Sequence, residues 1–250
     1  MSNTPLEGRT ALVTGASRNI GRQIALDLAS AGAAVVVNGV TDQQAADTVA
    51  AEIKDHGGRA IAHLAEVTDR TAVDVMVARA TEELGPVTVL VCNASARGQV
   101  PFLEMTHAQF RRVVDISLDG AFHLSQACLP AMVDAGFGRI VTLGGISWHI
   151  GTPGRAHNLT GKAGLTGFTR ALAAEFAGHG ITVNSVAPGH IDTVRPASAG
   201  TSPGTPAAIP MGRKGHVAEI ASAVRFLCLP DQAYVTGQVL HVNGGMFLGS

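Results

Sequence analysis

The sequence predicts an α/β fold: a single domain with a doubly wound parallel sheet of about seven strands and helices on both faces. Short β-branched runs alternate with stretches of helical periodicity along all 250 residues. Most of these runs are apolar throughout, as expected of parallel strands that are covered on both faces. No linker or internal repeat divides the chain. Repeated β-α-β units imply right-handed crossovers, and we expect one domain over residues 1–250.

The predicted strands are seven apolar, β-branched runs. They cover residues 10–14, 34–38, 60–64, 87–92, 139–143, 181–186 and 238–242. Between them, apolar residues recur at helical spacing, for example at Ile20, Ile24 and Leu28. Strand and helix therefore alternate along the chain.

Several helix boundaries are marked by capping residues and breakers. Asp69 is a predicted helix start, and Thr106 with Gln109 fits a capping box. Proline lacks a backbone N–H, so Pro130 is expected to bend or end a helix that begins near Ser117. Three glycines fall where helices should stop: Gly32, Gly85 and Gly136.

Composition narrows the function classes. A formal net charge of −1 and a pI near 6.8 show no excess of positive charge that would attract a nucleic acid. Three widely spaced cysteines suggest neither a disulfide framework nor a zinc site. No apolar run approaches the roughly 18 residues of a membrane span. We expect a cytoplasmic protein with a small-molecule substrate and no nucleic-acid, membrane or metal partner.

The first predicted strand runs into the turn Thr14-Gly15-Ala16-Ser17-Arg18-Asn19-Ile20-Gly21 and then into a helix. Backbone N–H groups and the positive end of the helix dipole form an anion site there, and Gly21 allows close packing. Asn19 replaces a glycine in the middle of the turn, and asparagine tolerates left-handed conformations. The pattern predicts a Rossmann-type dinucleotide site.

The charges near the second strand favour NADP as cofactor, with NAD as the alternative. An NAD site usually places an acid near the end of that strand. Here Asn38 stands in that region, and no acid follows until Asp42. Arg18 in the turn can pair with a 2′-phosphate, although it is also explained as a solvated surface cation.

Several ordered motifs resemble the short-chain dehydrogenase/reductase family over nearly the whole chain. They are the turn at 14–21, Cys92-Asn93-Ala94-Ser95, Gly138-Arg139-Ile140-Val141, Lys162-Ala163-Gly164, residues 184–189 (NSVAPG), residues 235–238 (VTGQ) and Asn243-Gly244-Gly245. The resemblance implies hydride transfer between a nicotinamide and an alcohol or carbonyl carbon. It also implies a homo-oligomer, a tetramer or dimer.

The resemblance implies four catalytic positions, of which Lys162 alone is kept. Asn158 stands four residues before it, where the family has its proton-exchanging tyrosine. Gly145 stands at the serine position and Ser117 at the asparagine position. The only tyrosine, Tyr234, lies near the last strand. Losing a general acid typically lowers the rate about 10²- to 10⁴-fold. We therefore expect an atypical active site, in which another group supplies the proton.

The cofactor half of the family pattern is nearly complete. The resemblance implies cofactor binding by a set of residues at strand ends and turns: Gly15, Ser17, Arg18, Asn19, Ile20, Gly21, Asn38, Glu66, Val67, Asn93, Ala94, Lys162, Pro188, Gly189 and Ile191.

The missing phenol requires another proton route. Water, Lys162 and His149 are candidates, because imidazole titrates near neutral pH and a desolvated amine can act as acid or base. His157 and His190 are weaker candidates, and the three histidines fit no standard metal spacing.

Three functions stay open. The leading hypothesis is an NAD(P)-dependent oxidoreductase acting on a small carbonyl or alcohol through a non-standard proton route. The alternatives are a non-redox lyase, isomerase or cyclase, and a catalytically silent nucleotide-binding subunit. A Pro-, Gly- and Ser-rich stretch at 193–210 is expected to be a substrate lid.

Overall fold

Seven parallel strands form one sheet in the computed structural model, which describes residues 4–96, 98–194 and 209–249. The spatial order is β3-β2-β1-β4-β5-β6-β7. The predicted fold class is confirmed, and each strand begins and ends within two residues of its expected bounds. The strands are β1 Thr10–Val13, β2 Ala34–Gly39, β3 Ala60–Leu64, β4 Val87–Cys92, β5 Gly138–Leu143, β6 Ile181–Pro188 and β7 Val239–Val242.

Within the described ranges, helices connect the strands and cover both faces of the sheet. The predicted start at Asp69 is confirmed, since its side chain accepts a hydrogen bond from the Ala72 N–H at 3.1 Å. The capping box of Thr106 and Gln109 is present as well. The helices are α1 Asn19–Ser30, α2 Gln43–Asp55, α3 Arg70–Glu83, α4 His107–Asp134, α5 Ser147–Ile150, α6 Ala156–Phe176 and α7 Val217–Cys228.

The predicted helix ends are confirmed at three glycines. Gly32, Gly85 and Gly136 each follow the last helical residue by two positions and have φ values of 99°, 106° and 58°. Glycine adopts this left-handed conformation without a Cβ penalty.

Helix α4 departs from the expectation. It begins at His107, ten residues before Ser117, and continues through Pro130 to Asp134. Of the two predicted effects of Pro130, a bend or an end of the helix, the end was wrong, and so was the predicted start near Ser117. The proline is exposed, whereas Cys128, Leu129 and Met132 around it are buried in the core. Burial of these side chains outweighs the loss of one intrahelical hydrogen bond.

The core has one layer on each face of the sheet, because successive strand residues point to opposite sides. In β2, for example, Val35 and Val37 pack with α1, α2 and α7 on one face. Val36 packs with the layer formed by α3, α4 and α6 on the other. Both faces are thus apolar, which explains the continuous apolar runs in the sequence.

The strand order reverses between β1 and β4, where the chain leaves β1 for β2 and later returns to β4. In open α/β sheets this reversal leaves a crevice beyond the carboxyl ends of the strands, where ligands bind. The turn after β1 and the Asn93 segment after β4 meet at this edge.

Candidate functional site

A cleft of about 180 Å³ lies at the carboxyl edge of the sheet. It is built from the ends of β4, β5 and β6, from the turn before α1 and from the first turns of α6. Its lining includes Ile20, Asn93, Gly145, Trp148, Arg155, Asn158, Lys162, Gly189, Ile191 and Thr193.

The turn after β1 is held by Thr14 and Asn93. The Thr14 hydroxyl accepts hydrogen bonds from the backbone N–H groups of Asn93 and Ala94, both at 3.0 Å. The Asn93 amide donates to the Thr14 and Gly15 carbonyls at 2.8 and 3.1 Å. A Cβ on Gly21 would lie 2.2 Å from the Gly15 carbonyl oxygen, so the turn requires glycine there. Ser17 lies half-buried within this turn.

Asn19 is the one non-glycine residue with positive φ in the described part of the chain, at 50°. Its side-chain amide also pairs with Val194 in both directions, since it donates to the Val194 carbonyl and accepts from the Val194 N–H, each at 3.0 Å. The turn therefore contacts the start of the 193–210 segment. The predicted lid itself lies largely outside the described residues.

Asn38 is fully buried at the end of β2. Its amide donates to the Ala65 carbonyl at 3.1 Å, and its oxygen accepts from the Gly15 N–H at 3.4 Å. Its side chain therefore joins β2, β3 and the turn. Asp42 is the N-cap of α2 and accepts from the Ala45 N–H at 2.9 Å. Arg18 is exposed at the start of α1.

Glu66 and Val67 follow β3 at the same edge of the sheet. They are not among the residues that line the cleft. Val67 is buried, and its side chain packs closely on Gly120 of α4. The structure thus places this pair next to Asn38, two strands from the turn.

Lys162 is buried on α6, and its ammonium donates a hydrogen bond to the carbonyl of Leu143, the last residue of β5. Burial raises the pKa of the Cys92 thiol to about 12, and the positive charge of Lys162 partly opposes this rise. Cys92 is therefore a neutral thiol near the Lys162 ammonium.

Asn158 and Gly145 lie in the same cleft as Lys162. The Asn158 amide donates to the Ala96 carbonyl at 3.3 Å. A Cβ on Gly145 would meet no atom of the described residues within 4 Å, and the φ of Gly145 is not positive. The described part of the cleft therefore leaves room for a Cβ at position 145.

Ser117 lies outside the cleft. Its hydroxyl donates to the Val113 carbonyl at 3.2 Å within α4, and its Cβ faces Gly161 of α6. The structure places it in the packing of two helices.

His149 lies in an aromatic cluster. Its ring centroid is 3.6 Å from that of Trp148, 4.3 Å from Phe247 and 4.6 Å from His241. Burial and the neighbouring His241 lower the pKa of His149. It does not line the cleft that holds Lys162, whereas His190 does.

The far wall of the cleft follows β6. Gly189 packs so closely on Asn243 that a Cβ would lie 2.6 Å from the Asn243 Cα. The Pro188 carbonyl accepts a hydrogen bond from the Ile146 N–H at 2.9 Å, and Ile191 pairs with Gly215 in an isolated bridge. These contacts connect the segment after β6 to β5 and to the C-terminal strand.

Sequence reasoning missed two residues of the site. Thr14 is the acceptor that orders the Asn93 segment, and only the contact between β1 and β4 reveals this. Arg155 lines the cleft three residues before Asn158. Its position three residues before Asn158, directly after Pro153-Gly154, could have indicated that its side chain lies near that of Asn158.

The residues present fit a dinucleotide. The turn is tight enough to exclude a Cβ at Gly21, and a buried lysine lines the cleft that the turn borders. Among the described residues, no cluster of His, Cys, Asp or Glu is arranged to hold a metal ion. None of the described helices is long and apolar enough to cross a membrane.

Comparisons with known proteins agree with this geometry. A family model described as enoyl-(acyl carrier protein) reductase matches residues 15–247. The 3-oxoacyl-[acyl-carrier-protein] reductase FabG of Escherichia coli (strain K12) is 40% identical over 245 residues, which are 97% of this chain and 98% of the relative. The corresponding reductase of Synechocystis sp. is 39% identical over 246 residues, 98% of this chain and 99% of the relative.

A solved structure is similar over the same length. The crystal structure of a putative gluconate dehydrogenase from Agrobacterium tumefaciens superposes with a TM-score of 0.92 and is 34% identical, covering 98% of each chain. The family model spans most of the chain, and the relatives cover almost all of it. The chain therefore belongs to the short-chain dehydrogenase/reductase family of NAD(P)-dependent oxidoreductases.

Proposed function

We propose that the chain is an NADP-dependent oxidoreductase that interconverts a small carbonyl substrate and its alcohol without a phenolic proton donor. The observation that carries the proposal is Lys162, which is buried and held by the Leu143 carbonyl in the same cleft as Asn158. In the family, this lysine binds the nicotinamide ribose. That role does not depend on a neighbouring tyrosine.

NADP is favoured over NAD by the residues near β2. The side chain of Asn38 hydrogen-bonds to backbone groups, and the side chain of Asp42 caps α2. Asn38 carries no charge that would repel a 2′-phosphate, and the Asp42 carboxylate, which does carry one, faces the N-terminus of the helix that it caps. Arg18 is exposed at the edge of the turn and offers the guanidinium that a phosphate prefers.

A bound reduced nicotinamide supplies the hydride that adds to the carbonyl carbon. The carbonyl oxygen must then gain one proton, and the amide of Asn158 cannot supply it. Lys162 stands one helical turn further along the same face of α6. We assign the proton to its ammonium through a bridging water, and solvent then reprotonates the lysine. His149 is left out of this route, because its ring packs in the aromatic cluster outside the cleft.

The names of the relatives support redox chemistry over a lyase, isomerase or cyclase. Two relatives are named as 3-oxoacyl-[acyl-carrier-protein] reductases and the solved structure as a gluconate dehydrogenase. All three names describe a change between a carbonyl and an alcohol. We therefore propose the same change for this chain.

Calorimetric titration with NADPH and NADH tests the cofactor half of the proposal. We expect NADPH to bind more tightly than NADH. Arg18→Gln should weaken NADPH binding about tenfold, the effect of losing one charge-assisted interaction of roughly 1.4 kcal/mol. Arg170→Gln, on the exposed face of α6, is the matched control. Binding of neither nucleotide would contradict the proposal and point to a silent scaffold.

We also propose a homo-oligomer, a tetramer or dimer, from the family resemblance. Exposed residues along α4 and α6 offer a surface to a second copy. Light scattering of the purified protein measures the state directly.

A further inference from the structure

The charges that line the cleft have one sign. Among the described residues, Arg155 and Lys162 are the two basic side chains besides histidine that line it, and no aspartate or glutamate does. Lys162 is bound to the Leu143 carbonyl and serves the proposed cofactor site. Arg155 is the charge that the proposed function does not use.

Arg155 is held in place by backbone contacts on both sides. The preceding Gly154 has a φ of 71°, and its carbonyl accepts a hydrogen bond from the Val100 N–H at 2.9 Å. The Arg155 carbonyl accepts from the Leu159 N–H at 2.9 Å and so opens the first turn of α6. The side chain is half-buried, and its Nε is shielded from solvent. Its charge is thus presented from a fixed start of a helix.

The position of Arg155 separates it from the phosphate turn. The turn contacts Asn93 and Ala94, directly after β4. The start of α6 lies beside the later part of that segment, where Asn158 contacts Ala96. Along α6, Arg155 and Lys162 are seven residues apart, a rise of about 10 Å. Arg155 therefore faces the substrate end of the cleft.

Resting on the proposed function, we propose that Arg155 binds a carboxylate on the carbonyl substrate, so that the substrate is a short oxo acid. Guanidinium binds carboxylate through two parallel hydrogen bonds, which orient as well as attract it. Arg155 is the N-cap of α6 and Asn158 lies in its first turn, and both side chains line the cleft. A carbonyl beside Asn158 and a carboxylate at Arg155 are then a few bonds apart, against the apolar wall of Trp148.

Paired substrates isolate the contribution of the carboxylate. The compounds are pyruvate, 2-oxobutanoate, acetoacetate and levulinate, each with its methyl ester. Calorimetry with and without NADPH gives the dissociation constants, and NADPH oxidation gives kcat/KM. We expect at least one acid to bind about tenfold or more tightly than its ester, in line with hydrogen bonds to charged groups.

Variants at Arg155 assign that preference to the guanidinium. Arg155→Gln should reduce the ratio of acid affinity to ester affinity by about 10- to 100-fold. Arg155→Lys should give a ratio between those of the wild type and Arg155→Gln, because lysine keeps the charge but lacks the paired N–H donors of the guanidinium. NADPH affinity should not change in either variant. Arg170→Gln, on the same helix, should preserve the ratio.

The outcomes separate this inference from the proposed function. Equal binding of acid and ester, binding of no acid at all, or an unchanged ratio in Arg155→Gln would overturn the carboxylate assignment. Acid binding that depends on Arg155 without any NADPH oxidation would support the assignment and refute the redox proposal. Oxidation of NADPH by esters and acids at equal rates would support the redox proposal and refute the carboxylate assignment.

Discussion

At the scale of single residues, the proposed proton route rests on Asn158 and Gly145. Both line the cleft with Lys162, and a Cβ at position 145 would meet no atom of the described residues within 4 Å. In the proposed function Lys162 binds the cofactor, while an amide and a hydrogen atom stand where the family resemblance implies a tyrosine and a serine.

Asn158→Tyr combined with Gly145→Ser should restore the family arrangement. We expect the double variant to oxidise NADPH about 10²- to 10⁴-fold faster than the wild type on the same carbonyl substrate, the usual contribution of a general acid. Steady-state kinetics measures the change. The variant Asn158→Phe with Gly145→Ser lacks only the hydroxyl, so equal rates in the two variants would contradict the account.

The roles of several single residues were beyond sequence reasoning, because they depend on distant partners. Asn38 was predicted to bind cofactor, and its side chain contacts the Ala65 carbonyl across the neighbouring strand. Ser117 was placed at a catalytic position by resemblance, and it packs on Gly161 of another helix. Residue type and order do not reveal such contacts. The glycines of the turn could be predicted, because their requirement is local.

At the scale of elements, the packing of α6 on α4 positions the site. A Cβ on Gly161 would lie 2.9 Å from the Cβ of Ser117, so the two helices approach closely one residue before Lys162. The strands that carry the site were predictable from their continuous apolar runs. The length of α4 was not, because tertiary burial around Pro130 overrides the local preference of proline.

Two glycine-to-alanine variants on α6 test this packing. Gly161→Ala should destabilise the fold by about 1–3 kcal/mol, since the added methyl overpacks the contact with Ser117. Gly167→Ala, where no atom of the described residues lies within 4 Å of the added methyl group, should stabilise the fold by about 0.5–1 kcal/mol through helix propensity. Urea unfolding gives both values. A neutral Gly161→Ala would show that the helices are not in close contact.

At the scale of the whole molecule, three histidines couple folding to pH. The pKa values of His63, His149 and His241 are lowered, and burial is the largest cause in each case. Arg79 contributes at His63, and His149 and His241 face each other. Below the ordinary value of 6.5, the unfolded chain takes up protons that the folded chain resists. Stability is therefore complete above that pH and is lost as the pH falls toward the lowered pKa values.

Thermal unfolding between about pH 7.5 and about pH 5 measures this coupling. We expect Tm to fall on acidification by several degrees, since each kcal/mol corresponds to roughly 2–4 °C in a chain of this size. His149→Phe should reduce the slope, because it removes one of the three groups and keeps an aromatic ring in the cluster. His107→Gln, at an exposed histidine of α4, is the control. A slope unchanged by His149→Phe would refute the assignment.

Hydride transfer by the unaltered protein tests the central claim most directly. NADPH deuterated at the transferring position is incubated with the protein and carbonyl substrates, 3-oxoacyl thioesters and short oxo acids included, and the product alcohol is analysed by mass spectrometry. We expect deuterium on the carbinol carbon with wild-type protein and its loss with Lys162→Met, although no tyrosine is among the described residues that line the cleft. NADPH binding without any labelled alcohol would contradict it and leave a nucleotide-binding protein without redox chemistry.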